Sequence, residues 1–144
     1  MIYEAQVQYY GVNAKGNEAI ERENYIVEDL MTFGDVEELM YLIFQEHKAV
    51  DVVSIKRSKV KEIANEKSNI DDMIWMAELQ DKFMRDDGKE VEMKYKILFF
   101  SKTFDTAKSF IGEYIKQGYN MILVSLKLTN FCDVFNAEML YELQ

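Results

Sequence analysis

The chain has 144 residues, enough for one compact domain or two small fused units with a real core. Its composition is 49% hydrophobic and 30% charged with no proline, which excludes a disordered tail or linker. The formal net charge of −9 repels phosphate backbones and anionic lipid headgroups on average, and the single cysteine, Cys132, excludes an internal disulfide and a thiolate metal cage.

In chain order, Tyr3, Ala5, Val7 and Tyr9 alternate with more polar residues, the period of a strand with one buried face. The opening "MIYEAQVQ" has neither the basic start nor the apolar run of a signal peptide, and no apolar stretch is long enough for a membrane span, so a cytoplasmic location is expected. "NAKGNE", with Gly16, carries hairpin-turn chemistry. An acidic stretch follows: Glu18, Glu21, Glu23, Glu28, Asp29, Asp35, Glu37 and Glu38 stand against Arg22 alone.

Thr32 is the expected N-cap of a first helix, with Asp35 in the place of a capping-box acid and Phe33, Val36, Met40, Ile43 and Phe44 as its apolar stripe. "VVSIKRSKVKEI" (Val52 to Ile63) is the third strand, and polar "ANEKSNIDD" (Ala64 to Asp72) is a connector. The pattern then starts again. Trp75, Ala77 and Leu79 share one side of a strand, "RDDGKE" turns at Gly88, and Val91, Met93, Tyr95, Ile97 and Phe99 alternate with charged residues. Thr103 caps a second helix with Thr106 in the capping-box place and Phe104, Ala107, Ile111, Tyr114 and Ile115 as its stripe; Gly118 is expected to stop it in a left-handed conformation. "NMILVSLKLTNF" is apolar on both faces, which predicts a central strand, and "NAEMLYELQ" a short terminal helix.

The two halves match in order. Ile2–Val7 falls on Ile74–Leu79, and Gly16 falls on Gly88 at the same offset. Thr32-Phe33 on Thr103-Phe104 and Val53–Lys56 on Val124–Lys127 follow with an offset one residue shorter, as in a repeated unit with one length change. The fold expected is α+β: tandem ββαβ units, residues 1–63 and 73–135, joined by 64–72 and followed by a tail at 136–144. A three-stranded unit with one helix is too small to bury its apolar face alone. The two units are therefore expected to share one mainly antiparallel sheet with both helices on one face.

Catalytic signatures are sparse. His47 is the only histidine, placed near the end of the first helix where the dipole favours a cation, and it lacks a second histidine for a metal site or a nucleophilic pair. Asp71-Asp72 and Asp86-Asp87 could supply carboxylates to a magnesium ion, yet adjacent aspartates in "NIDDM" and "RDDGK" are turn chemistry. No phosphate loop, dinucleotide fingerprint or nucleophile elbow occurs. A non-enzymatic protein with no cofactor and no metal is the expectation.

Three kinds of partner remain. Nine tyrosines, nine methionines and one tryptophan exceed what a core demands and suit protein contacts, a homodimer through an open sheet face among them. The basic run Lys56, Arg57, Lys59 and Lys61, with Tyr9 and Tyr25 as stacking surfaces, suits single-stranded nucleic acid. The acids Glu18, Glu21, Glu23, Glu28, Asp29, Glu37 and Glu38 suit a mimic that fills a partner's basic groove. Protein–protein contact is the leading expectation, because net charge opposes the second and modest acidity is ordinary in a solvated surface.

The stretches "IYEAQVQYY", "ENYIVEDLMTFGDVE", "VVSIKRSKVKEI" and "LVSLKLTNFCDVF" resemble the domain-of-unknown-function family numbered 4494, short proteins of gut bacteria and their phages, over about Ile2 to Phe135. The resemblance implies a small intracellular accessory protein of a phage or mobile element. It assigns no functional residue.

Overall fold

In a computed structural model, residues 1–29, 32–118 and 120–143 are described. The chain forms β1 (Ile2–Val12), β2 (Glu18–Glu28), α1 (Phe33–Ile43), β3 (Lys48–Arg57), β4 (Val60–Ile63), β5 (Met73–Met84), β6 (Glu90–Ser101), α2 (Phe104–Ile115), β7 (Ile122–Leu128), β8 (Phe131–Asn136) and α3 (Ala137–Leu143). The fold is α+β, and the order strand, strand, helix, strand occurs twice.

The strands are shared between two mixed sheets, where the sequence predicts one. One sheet runs β3-β1-β2-β8 and the other β4-β6-β5-β7. The sequence reading takes residues 52–63 and 123–135 as single segments, whereas each contains two strands. After β3 the chain leaves its own sheet, and β4 pairs in parallel with β6; after β7 it leaves again, and β8 pairs in parallel with β2. A fourth strand thereby reaches each three-stranded set and enlarges the apolar face that three strands leave small. The chain divides into two compact units, Met1–Ser58 with Asn130–Gln144, and Lys59–Thr129. The second unit is thus an insertion between β3 and β8 of the first.

Local chemistry explains the recurrence. Both hairpins turn through a glycine at φ 81°, Gly16 and Gly88, a backbone region that side chains disfavour. The bonds match as well: Gly16 N–H donates to Asn13 C=O and Gly88 N–H to Arg85 C=O, both at 2.9 Å. Thr32 accepts the Asp35 N–H at 3.1 Å, while Thr103 accepts from Thr106 and the Thr106 hydroxyl accepts the Thr103 N–H at 3.0 Å, completing a capping box in α2. Gly118 differs from expectation, since the positive-φ glycines are Gly16 and Gly88. Its role is close approach: a Cβ there would stand 2.8 Å from Met121 Cε.

In the first unit Tyr3, Ala5, Val7, Tyr25 and Val27 pack under Val36, Leu39 and Met40 of α1, with Phe44, Phe135 and Leu140 closing the cluster. In the second, Trp75, Ala77, Leu79, Ile97 and Phe99 meet Ala107 and Ile111 of α2. The first helical residue repeats its contact, since Phe33 lies edge-on to Tyr3 at 5.2 Å and Phe104 lies 5.9 Å from Trp75. The Trp75 indole N–H, buried, donates to the Ser101 carbonyl at 3.0 Å, which satisfies its polar handle.

Candidate functional site: two edge strands and a tyrosine cleft

The repeated text "VS[I/L]K" is a β-bulge. Gln6 pairs with Ser54 and Val7 with Val52, so Val53 is the extra residue; Glu78 pairs with Ser125 and Leu79 with Leu123, so Val124 is the extra residue. An extra residue shifts the period-2 alternation by one. Hence Val50, Val52 and Ile55 all pack on the first core, and Met121 and Leu126 both pack on the second, although simple alternation puts 121 and 126 on opposite faces.

The bulge corrects the expected position of the second-half strand. Under plain alternation its apolar residues serve both faces and predict a central place, but β7 is at the edge of its sheet. Ile122, Leu123, Val124 and Leu128 are 54%, 37%, 47% and 49% exposed. The only charge among its seven residues is Lys127, and the residue opposite Lys127 is Met76. β3 is the corresponding edge of the first sheet, and it carries Lys48, Asp51, Lys56 and Arg57. There Lys56 stands opposite Glu4 and reaches its carboxylate at 3.8 Å.

The basic candidates divide between the two units. Lys56 and Arg57 belong to the first unit, and Lys59 and Lys61 to the second. Lys61 lies over the Tyr95 ring, 4.2 Å from its centroid, a cation–π contact within its own unit. Tyr25, expected as a stacking surface, is 7% exposed, stacked on Phe135 at 4.9 Å and edge-on to Phe44. Its ring is core and has no free face for a base.

Tyr9 lies in a cleft of about 560 Å³ at the turn end of the β1–β2 hairpin, together with Tyr10, Glu18, Glu21, Glu46, His47 and Lys48. Its hydroxyl donates to the Glu23 carboxylate at 2.5 Å, and His47 lies edge-on to its ring at 4.4 Å. That bond to Glu23, with burial and the nearby negative charge, pushes the Tyr9 hydroxyl up to about 12. Burial first, and Glu23 next, push the Tyr25 hydroxyl and the Cys132 thiol above their ordinary values. A thiol held protonated is a poor nucleophile.

Of the acidic candidates, Glu18, Glu21, Glu23 and Glu28 are on β2, and Glu37 and Glu38 on α1. Asp29 follows β2 at φ 66°. Glu18 and Glu21 share the cleft, and Glu23 is engaged with Tyr9. The paired aspartates serve turns. The Asp72 carboxylate accepts from the backbone N–H groups of Ser68 and Asn69, both at 3.0 Å, and these bonds hold it below the usual carboxylate range. Asp87 accepts the Lys89 N–H at 3.0 Å in the β5–β6 hairpin, and Asp71 reaches Lys102 at 3.8 Å. Among the described residues no helix is long and apolar enough to cross a membrane.

The model of a domain of unknown function, DUF4494, matches residues 1–137. The chain belongs to this family. No curated protein and no solved structure matches it. The family match spans both sheets and both edges, from β1 through β8. Sequence reasoning missed the β7 edge as a candidate. The signal was present: an apolar run with one charge, repeated from a stretch in which Asp51 and Arg57 stand where β7 has Ile122 and Leu128.

Proposed function

We propose that the protein is a non-enzymatic binding module that recognises another polypeptide by accepting a strand along the free edge of β7. The supporting observation is the pairing of an unblocked sheet edge with four exposed apolar side chains, Ile122, Leu123, Val124 and Leu128. An edge strand presents unpaired N–H and C=O groups, and most proteins blunt such edges with charge. Main-chain bonds would supply affinity, and the alternating side chains selectivity. In this reading the module works as a small accessory protein inside a cell, where Cys132 stays reduced.

The test is site-directed capture. A photo-crosslinking residue at Val124 is expected to trap a polypeptide partner, and Leu128→Arg, which makes β7 resemble β3, is expected to prevent trapping. Equal trapping with and without that substitution rejects the edge as the site. The nucleic-acid reading has less support, because Tyr25 is core, Lys56 is paired with Glu4 and Lys61 sits on Tyr95.

A further inference from the structure

The cleft at the turn end of the β1–β2 hairpin carries charge that its own residues do not balance. Glu18, Glu21 and Glu46 line it with Lys48, whereas the ion pairs among the described residues are Lys56–Glu4, Lys102–Asp71 and Lys116–Glu113. Three carboxylates are thus left on the walls of about 560 Å³ of open space. Glu23, the next acid along β2, is taken by the Tyr9 hydroxyl at 2.5 Å. Unbalanced charge of one sign in a cleft concentrates ligands of the opposite sign.

The repeated scaffold does not require this cleft. In the second unit Phe83 stands where β1 has Gly11, and Met93 where β2 has Glu21; Gln117 and Gly118 replace Glu46 and His47. The bonds confirm the alignment, since His47 N–H donates to the Phe44 carbonyl at 2.9 Å and Gly118 N–H to the Ile115 carbonyl at 3.1 Å. Gly11 is what lets Glu21 lie across β1: a Cβ there would stand 2.8 Å from Glu21 Cγ. A glycine inside a strand often marks such a close approach. The second unit puts large apolar side chains at the same two places.

The lining also selects the kind of cation. Carboxylates reach in from β2 and from the turn after α1, and among the described residues no three acid or imidazole groups are placed as metal ligands would be. A guanidinium, planar and with five donors, can serve carboxylates on two sides at once, and the rings of Tyr9 and Tyr10 offer it aromatic surface. The main chain adds an independent feature. β3 pairs with β1 only as far as Tyr10 and Lys48, whereas β1 runs on to Val12. Asn13 N–H donates to the Asn17 carbonyl and Ser58 N–H to the Ile2 carbonyl, so odd residues of β1 bond toward β2 and even ones toward β3. Val12 therefore turns its N–H and C=O to the side where β3 has not begun. A free cation has no use for that pair of groups; a peptide main chain does.

We infer that this cleft is a second binding site, which takes an arginine side chain presented by an extended peptide. It lies wholly in the first unit and does not depend on the reading of β7.

The experiment is fluorescence anisotropy of the full chain with a labelled short peptide carrying one arginine between valines, against the same peptide with citrulline, which keeps the shape and removes the charge. The arginine peptide is expected to bind about tenfold or more tightly than its citrulline counterpart, and less tightly as salt is raised. Glu18→Gln with Glu46→Gln is expected to weaken the arginine peptide about tenfold, and Glu21→Met, which installs the residue of the second unit, to do the same. Leu128→Arg on β7 is expected to leave this binding unchanged. Equal binding of the two peptides, no binding of either, or indifference to the glutamate substitutions overturns the inference. Loss of binding on Leu128→Arg alone overturns it as well and assigns the peptide to β7, whereas arginine-dependent binding with no trapping at Val124 keeps the cleft and rejects the edge.

Discussion

β3 and β7 occupy the same place in two sheets, carry a bulge at the same point and present the same face to a helix, yet their edges differ in kind. β3 has four charged residues and an ion pair to its neighbour, where β7 has one lysine opposite a methionine. The scaffold that sets an edge is written in turns, caps and alternation. Whether the edge is closed to other chains is written in a few residues that the scaffold does not need. Unit 1 spends its chemistry elsewhere, on the Tyr9–Glu23 cleft, whose positions correspond in unit 2 to Asp81 and Tyr95 with acid and phenol exchanged.

The largest effects should be equal in the two units, since the cores are matched. Met40 and Ile111 occupy corresponding helix positions at 0% and 1% exposure. Truncating either to alanine is expected to cost about 2–5 kcal/mol by lost burial and cavity formation. Urea unfolding checks this, with Trp75, the only tryptophan, reporting the second unit directly. A cost under about 1 kcal/mol at one position and not the other would mean that the helices do unequal work.

Exchanging the edge residues comes next. Leu128→Arg should weaken strand acceptance at β7 about tenfold or more by placing a cation where an apolar contact is expected. The reverse change, Arg57→Leu, removes a cation from β3 and should open a second accepting edge, seen as new trapping by a photo-crosslinking residue at Val53. If Arg57→Leu leaves the protein as it was, the charges of β3 are not what closes that edge.

How much of this was legible depends on range. The hairpins, both helix starts and the terminal helix follow from local chemistry and are found where the sequence puts them, whereas 64–72, expected to join the units, links β4 to β5 within the second. The division into two sheets was hidden, because β4 has four residues and β8 six, and each pairs in parallel with a strand far away in sequence. Nothing within Val60–Ile63 distinguishes a continuation of β3 from a strand of another sheet. The bulges hid the edge as well: by reversing the alternation at Val124 they make a strand with one core face look apolar on both. Tyr25, read from the sequence as a stacking surface beside the basic run, is buried by Phe44 after α1 and by Phe135 of the parallel partner β8, a contact distant in sequence.

The helix caps should separate the units by a smaller amount. Thr103 shares a reciprocal pair of bonds with Thr106, while Thr32 makes its half alone among the described residues. Thr103→Ala is expected to cost about 1–2 kcal/mol and Thr32→Ala about 1 kcal/mol or less. Thr106→Ala should remove the difference between them in the same urea measurement.

The smallest contrast lies in the titration of the exchanged acid–phenol positions. Tyr9 is pushed from 10.0 up to about 12 by its bond to Glu23, then by burial, whereas Tyr95 is raised by burial first and by Asp81 after it. A phenol whose folded value is raised stays protonated while the unfolded chain ionises. Its stabilising contribution is therefore whole below pH 10 and is lost as pH rises toward 12. Phenolate absorbance should show Tyr9 titrating late, and Glu23→Gln should bring it earlier while leaving Tyr95 in place. Asp72 provides the opposite sign: held low by the Ser68 and Asn69 amides, it loosens its turn only as pH falls through its folded value. An alkaline transition unaffected by Glu23→Gln would assign the Tyr9 shift to burial, and the two units would then differ in their edges but not in how they hold a phenol.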